Sequence, residues 1–133
     1  MNVLDSLMAM ARAAQANAYA PYSHFKVGAA VRAPSGDLYG GCNVENASYP
    51  VGICAEAAAI SAMVSAGATR ICEIVVYADG ESLTTPCGAC RQRIREFADA
   101  ATLIHATGPA GRIRTFTIDE LLPLAFGPDN LPA

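Results

Sequence analysis

Residues 54–66 read CAEAAAISAMVSA, and Gly67 follows directly. Alanine has the highest helix propensity of the amino acids, and glycine is the usual residue just beyond a helix end. This composition predicts a helix that begins near Cys54 and stops at Gly67. Because a helix of this length between two strands allows them to pair in parallel through a crossover, we expect part of the sheet to be parallel.

The segments before this helix show two different periodicities. Residues 2–18 have helical spacing, and Asn2 or Asp5 is able to cap the start. From Phe25 to Val31 every second residue is apolar, and the turn residues 34–37 (PSGD) separate this run from residues 38–44. These patterns predict an amphipathic helix followed by an antiparallel β-hairpin. The predicted inner stripe of the helix consists of Leu4, Leu7, Met8, Ala11, Ala14, Gln15 and Ala18.

The segments after this helix alternate between strand and helix patterns. Short runs at 71–78, 102–106 and 113–116 predict three more strands, and residues 88–97 predict another helix. Thr117 and Glu120 have the spacing of a capping box before a short helix that ends at Pro123. Together these elements predict an α/β fold of three layers (α/β/α), with a mixed central sheet of about five strands and helices on both faces.

Length and composition narrow the function classes. A chain of 133 residues with 53% hydrophobic and 16% charged residues is expected to form a single domain spanning residues 1–133. The net charge of −3 provides no basic excess for a nucleic-acid partner. Since no apolar run approaches the ~20 residues of a membrane span and no signal-peptide pattern is present, we expect a cytoplasmic protein with no membrane partner. Apolar faces on nearly every element predict that other subunits cover part of the surface.

The five cysteines indicate a metal rather than disulfide bonds, because no secretory signal accompanies them. Cys54 precedes one predicted helix, and the sequence PCGAC at residues 86–90 opens another. Helix N-termini lower thiol pKa values, so we expect thiolates at Cys54, Cys87 and Cys90. Three thiolates with an open fourth position are typical of a catalytic zinc.

A closed, structural zinc site would need a fourth ligand. None of the candidates has paired spacing with the three cysteines, and each has a commoner explanation: a small buried cysteine in a strand, or a histidine that is satisfied or faces solvent. An open site is therefore favoured. The candidates are His24, Cys42, Cys72 and His105.

Glu56 lies two residues after Cys54, in the first turn of the predicted helix. A carboxylate there can lie beside a metal without binding it, which suits a group that takes a proton from an activated water and passes it on. The alternative is a carboxylate that stabilises the helix N-terminus by up to ~1 kcal/mol. The combination with the three cysteines is that of zinc deaminases and favours catalysis.

With these motifs the chain resembles the small, homotetrameric cytidine deaminases along nearly its full length, from residues 22–30 (YSHFKVGAA) to residues 121–126 (LLPLAF). The resemblance implies zinc-dependent hydrolysis of cytidine and 2′-deoxycytidine to uridine and 2′-deoxyuridine, with release of ammonia, in pyrimidine salvage. It implies one zinc ion per subunit, with Glu56 as the proton shuttle. It also implies a homotetramer whose sites lie at subunit interfaces.

The resemblance further implies a nucleoside pocket. Residues 43–49 (NVENASY) are similar to a ribose-binding motif in which Asn43 and Glu45 hydrogen-bond the 3′-hydroxyl region; the alternative is a polar turn. An amide and a carboxylate at strand spacing share one face, and buried polar groups of this kind reject ligands that lack the hydroxyl.

Other residues are similar to those that contact the base or a neighbouring site. The resemblance implies that Phe25 packs on the pyrimidine ring and that the backbone N–H of Ala55 contacts the base carbonyl. The carbonyl of Pro86 would face the leaving ammonia. Tyr49 and Phe126 would reach the site of a neighbouring subunit.

The chain departs from the family pattern at Ala57, where relatives commonly carry an arginine that tempers the charge of the thiolates. Zinc with three thiolates is negatively charged overall, which works against activating water. We expect Arg91, directly after Cys90, to supply the missing charge; an ordinary surface arginine is the alternative.

Two other functions stay open at this point. A deaminase of a modified pyrimidine nucleoside, or of a cytosine-containing antibiotic resembling blasticidin S, uses the same chemistry, and such antibiotic deaminases can also have a small residue after Cys-Ala-Glu; the 43–49 motif favours an intact ribose. A structural zinc module that binds protein or RNA is disfavoured by the acidic charge and the open coordination position. Thiolate ligands favour zinc over magnesium or calcium, with iron as an alternative metal.

Overall fold

A computed structural model gives the structure of residues 2–132. Asn2 caps the first helix, where its side-chain oxygen accepts a hydrogen bond from the backbone N–H of Asp5 at 2.8 Å. Thr117 and Glu120 form the expected capping box of the last helix, which ends at Leu121, two residues before Pro123. The main elements are α1 (Val3–Ala16), β1 (Val27–Arg32), β2 (Leu38–Cys42), α2 (Ala55–Ser65), β3 (Glu73–Ala78), α3 (Gly88–Phe97), β4 (Leu103–Thr107), β5 (Ile113–Phe116) and α4 (Ile118–Leu121).

The five strands form one mixed sheet in the order β2-β1-β3-β4-β5. The hairpin β1–β2 is antiparallel, and β3 and β4 pair in parallel across the connecting helix α3, as expected. The strands β2 and β3, joined through α2, also run in the same direction, but both pair with β1, which lies between them. The expected direct parallel pairing across α2 is therefore absent, because β1 already occupies the position beside β2.

Helices cover both faces of the sheet, which confirms the three-layer α/β/α fold. On one face Leu7 and Ala11 of α1 pack against Ala30 and Val75. The other face carries α2, α3 and α4 over a larger apolar core, whose members include Ala29, Val31, Ala59, Met63, Ile74, Ile94, Ile104, Ile118 and Leu121. Within residues 2–132, the structure contains no helix of the length and apolarity that crossing a membrane requires.

A close approach at Gly41 holds α2 against the sheet. A β-carbon built at Gly41 would lie 2.5 Å from the backbone nitrogen of Ala59, closer than β-carbons approach other atoms in proteins. A residue without a side chain is needed here for α2 to pack on β2. The contact fixes the position of α2 and therefore of its N-terminus at Ala55.

Candidate active site and metal centre

The N-termini of α2 and α3 bring three cysteines together. Cys54 and Cys87 are the N-cap residues of the two helices, and Cys90 lies in the first turn of α3. Their sulfur atoms all lie within 4.8 Å of one another. Two sulfurs at Zn–S distances of about 2.3 Å on a tetrahedral ion are separated by roughly 4 Å, so the donor set and its spacing fit one zinc ion. No other group of three or more histidine, cysteine or acidic side chains comes this close within residues 2–132.

Burial, rather than the helix N-termini, dominates the electrostatics of two of these sulfurs. It raises the pKa of the Cys54 and Cys90 thiols above their usual range, and nearby negative charge acts in the same direction. At Cys87 burial also acts against the thiolate, but the backbone N–H groups of Cys90 and Ala89 and the neighbouring thiols lower its pKa. The expectation of three lowered pKa values is therefore correct for Cys87 alone. Three clustered thiolates require a compensating cation, which a divalent metal supplies.

Glu56 is buried in the first turn of α2, with 5% of its surface exposed. Burial raises the pKa of its carboxyl group, while a backbone N–H and the positive charge of Arg93 lower it to a smaller extent. A carboxyl group with a raised pKa exchanges protons more readily near neutral pH than an exposed glutamate does. The side chain therefore has the environment of a proton shuttle.

The arginine that contacts the cysteine cluster is Arg93, not Arg91. Nη1 of Arg93 donates a hydrogen bond to the sulfur of Cys90 at 3.3 Å. The three guanidinium nitrogens of Arg91 instead donate to the Pro86 carbonyl at 2.8 Å, to the Leu121 carbonyl and to the Thr85 hydroxyl, both at 2.9 Å. This corrects the prediction for Arg91, whose side chain holds the segment before α3. Adjacency to Cys90 points to Arg91, whereas the helical spacing of three residues points to Arg93.

A cavity of about 300 Å³ opens beside Cys54 and Cys87. It gathers residues from β1, the segment after β2, α2 and the segment before α3, so most of the predicted contact residues meet at one place. Four lining residues had no predicted role in the site, namely Ser23, Val27, Thr84 and Thr85, although Ser23 and Val27 lie inside the YSHFKVGAA motif. The lining consists of Ser23, Phe25, Val27, Asn43, Glu45, Cys54, Ala55, Glu56, Thr84, Thr85 and Cys87.

The two residues predicted to bind ribose are anchored in the structure. Asn43 donates from Nδ2 to the Phe25 carbonyl at 2.9 Å and accepts at Oδ1 from the Val27 N–H at 2.8 Å. Glu45 accepts from the N–H groups of Tyr22 and Ser23 and from the Ser23 hydroxyl. The hydrogen bonds from Ser23 lower the pKa of Glu45, which keeps its carboxylate charged at the cavity edge.

Tyr49, Pro86 and Phe126 do not line this cavity. Tyr49 lines an adjacent cavity of about 240 Å³ that shares Ser23 and Glu45 with the first, and its ring centroid lies 5.7 Å from that of Tyr22. Pro86 is buried. Phe126 is 58% exposed, and its backbone carbonyl accepts a hydrogen bond from Gln92. Any contact of Tyr49 or Phe126 with a neighbouring subunit's site stays a prediction.

The four candidates for a fourth ligand lie outside the cysteine cluster. His105 is buried, and its ring nitrogens are paired with Thr115 and Glu73, each at 2.8 Å. His24 is exposed, and Cys42 and Cys72 are half-buried. The cluster therefore offers three protein ligands, as expected for an open site.

Comparison with known proteins agrees with this geometry. The family model for the cytidine and deoxycytidylate deaminase zinc-binding region matches residues 1–106. The chain is 41% identical over 128 residues to a cytidine deaminase of Sporosarcina psychrophila, covering 96% of this chain and 94% of the relative. The crystal structure of cytidine deaminase from Burkholderia pseudomallei superposes with a TM-score of 0.87 at 40% identity, covering 92% of this chain and 98% of the other. That of cytidine deaminase from Mycobacterium tuberculosis gives 0.81 at 40% identity, covering 93% and 97%. The chain belongs to the cytidine and deoxycytidylate deaminase family.

Proposed function

We propose that this chain catalyses the zinc-dependent hydrolytic deamination of cytidine and 2′-deoxycytidine to uridine and 2′-deoxyuridine, with release of ammonia. The observation that carries the proposal is a single cavity in which Glu56 and Phe25 meet two cysteines of the metal centre, Cys54 and Cys87. Family membership supports the same reaction. We infer that this reaction serves pyrimidine salvage.

Cys54, Cys87 and Cys90 are the proposed ligands of one zinc ion per subunit. When bound, zinc supplies the Lewis acidity that makes water a nucleophile near neutral pH. Glu56 accepts a proton at its carboxylate and donates it to the departing amine. The Pro86 carbonyl, proposed to face the leaving ammonia, is held by Arg91 Nε at 2.8 Å.

Substrate binding is assigned to the residues that line the cavity. The Phe25 ring, 45% exposed in the single chain, offers an apolar surface for the pyrimidine. The backbone N–H of Ala55, at the start of α2, is proposed to donate to the base carbonyl. Asn43 and Glu45 are proposed to bind the ribose hydroxyl: Glu45 as a charged acceptor, and Asn43 through the amide hydrogen that its bond to Phe25 leaves free.

The proposal extends to the assembly of the chain and to its domain organisation. We infer a homotetramer in which Tyr49 and Phe126, both exposed in the single chain, reach the site of a neighbouring subunit. One five-stranded sheet that serves both cores supports a single domain over residues 1–133. The net charge of −3 supports a small nucleoside as substrate rather than a nucleic acid. A cytoplasmic location stays a prediction.

The test follows the ultraviolet absorbance of cytidine mixed with protein of known zinc content. Wild type is expected to form uridine, and Glu56→Gln, a substitution of the same shape, is expected to retain zinc and lose turnover. Glu96→Gln, on the exposed side of α3, is the control and should remain active. Turnover of blasticidin S but not of cytidine, or an active Glu56→Gln enzyme, would contradict the proposal.

A further inference from the structure

We propose that Arg93 is a positioning residue of the metal centre: through its hydrogen bond to Cys90, its positive charge stabilises the zinc-loaded, negatively charged cysteine cluster. The inference rests on the proposed zinc site. It gives a function to an arginine of α3 that the motifs did not identify.

The geometry links Arg93 to one sulfur. The two residues are three apart on α3, so helical spacing places their side chains on one face. Nη1 of Arg93 lies 3.3 Å from the sulfur of Cys90. Cys90 is fully buried, whereas Arg93 is exposed at the helix surface. The guanidinium therefore extends from the surface to a buried sulfur, as long amphipathic side chains do.

The charge of the cluster requires such a partner. Three thiolates and one divalent ion leave a net negative charge of about one unit. The buried carboxyl group of Glu56 lines the cavity beside Cys54 and Cys87 and lies close to this charge. The N-termini of α2 and α3 offset part of this charge, each with roughly half a unit of positive charge. Each of the three guanidinium nitrogens of Arg91 donates a hydrogen bond to an oxygen atom outside the cysteine cluster. The guanidinium group of Arg93, hydrogen-bonded to Cys90, offsets negative charge at a buried sulfur, where the low polarity of the surroundings strengthens the interaction.

The space beside Arg93 would also accommodate an arginine side chain from the neighbouring helix α2. Ala57, directly after Glu56 on α2, and Arg93 on α3 line one open cavity of about 590 Å³. An arginine introduced at Ala57 would extend into this space from the opposite helix. If the cluster requires a positive charge rather than one particular side chain, Ala57→Arg will compensate for the loss of Arg93.

The experiment measures zinc affinity without substrate, by competition between the full-length protein and a chromophoric chelator. Arg93→Ala is expected to bind zinc about 10- to 100-fold more weakly than wild type, the usual effect of losing a group that supports a metal ligand. Arg93→Lys and the double variant Arg93→Ala/Ala57→Arg are expected to recover most of the affinity, because both retain a cation at the cluster. Arg95→Ala, which removes an equal charge from the last turn of the same helix, should leave affinity unchanged.

Two results would overturn the inference while leaving the proposed function intact. One is equal zinc affinity in Arg93→Ala and Arg95→Ala. The other is a loss of affinity that neither Arg93→Lys nor Ala57→Arg restores, together with a lower thermal unfolding midpoint of the metal-free variant, because that combination shows a merely structural role. A wild-type protein that binds no zinc would overturn the metal centre itself, and with it both proposals.

Discussion

The side-chain amide of Asn43 joins the end of β2 to the residues that begin β1: its Nδ2 donates to the carbonyl of Phe25 at 2.9 Å, and its Oδ1 accepts from the N–H of Val27 at 2.8 Å. The amide thus extends the pairing between β1 and β2 by one residue beyond the end of β2. Phe25 lines the cavity beside the metal centre. Asn43 therefore determines where the proposed base-binding ring lies.

Asn43→Ala removes both hydrogen bonds and is expected to lower the free energy of unfolding by about 2 kcal/mol, at roughly 1 kcal/mol per bond. We also expect a higher KM for cytidine, because Phe25 and the ribose contact are both affected. Urea unfolding and steady-state kinetics measure the two effects. Asn17→Ala, at the exposed C-cap of α1, is the control and should change stability by less than about 0.5 kcal/mol. An unchanged KM in Asn43→Ala would contradict the positioning role.

Two neighbouring glycines of β2 face opposite sides of the sheet and should tolerate alanine very differently. At Gly41 a β-carbon would lie 2.5 Å from the Ala59 backbone, whereas at Gly40 its nearest atom is the Met10 Cγ at 3.0 Å. Backbone cannot move aside, but a methionine side chain can. Gly41→Ala is expected to lower the free energy of unfolding by about 3 kcal/mol and Gly40→Ala by less than about 1 kcal/mol, measured by chemical denaturation. Similar losses in the two variants would contradict the close packing of α2.

Features carried by a few adjacent residues could be predicted from the sequence. The capping box of Thr117 and Glu120, the helix start at Cys87 and the strand at 113–116 depend on local propensities and hydrogen bonds, and the structure places each where it was expected. The cysteine cluster could also be predicted, because its sulfurs are carried by helix starts that the sequence marks.

Features set by long-range packing could not be predicted from the sequence. Whether β3 pairs with β2 or with β1 depends on which strand position is free, which no local pattern records. Burial of Cys54 and Cys90 raises pKa values that the helix N-termini alone would lower. Arg93 differs from these cases, because its three-residue spacing from Cys90 is visible in the sequence and identifies it once the helix is known.

Arg32 and His105 bind the carboxylate of Glu73, at the start of β3, and stabilise its charged form. Arg32 donates to Oε1 through Nη2 at 2.8 Å, and His105 Nε2 lies 2.8 Å from Oε2. Burial opposes the charged form, but these hydrogen bonds lower the pKa of Glu73 below its usual 4.5. The carboxylate therefore adds stability above about pH 4.5, and this contribution is lost as the pH falls through the lowered pKa.

Glu73→Gln is expected to lower the free energy of unfolding by about 1 kcal/mol at pH 7, a modest value because the ion pair is partly exposed to water. The difference from wild type should shrink as the pH is lowered from about 4.5 towards 3. Urea unfolding across this range measures it, with Glu96→Gln as the exposed control. A difference that stays constant with pH would show that the packing of Glu73 matters and its charge does not.

Two exposed aromatic residues make the proposed shared sites testable by mixing variants. Tyr49 is 74% exposed and Phe126 58% exposed in the single chain. If Phe126 completes a neighbouring subunit's site, Phe126→Ala should lower kcat/KM, and Glu56→Gln should abolish turnover, each as a pure tetramer. After dissociation and reassembly together, some sites combine Glu56 of one subunit with Phe126 of another, so the mixture should be more active than the average of its two parents.

Activity equal to that average would show that each site is built from one subunit, because no exchange of chains could then restore an intact site. Sedimentation of the mixed sample checks that tetramers have formed, and mixing Glu56→Gln with wild type calibrates the exchange.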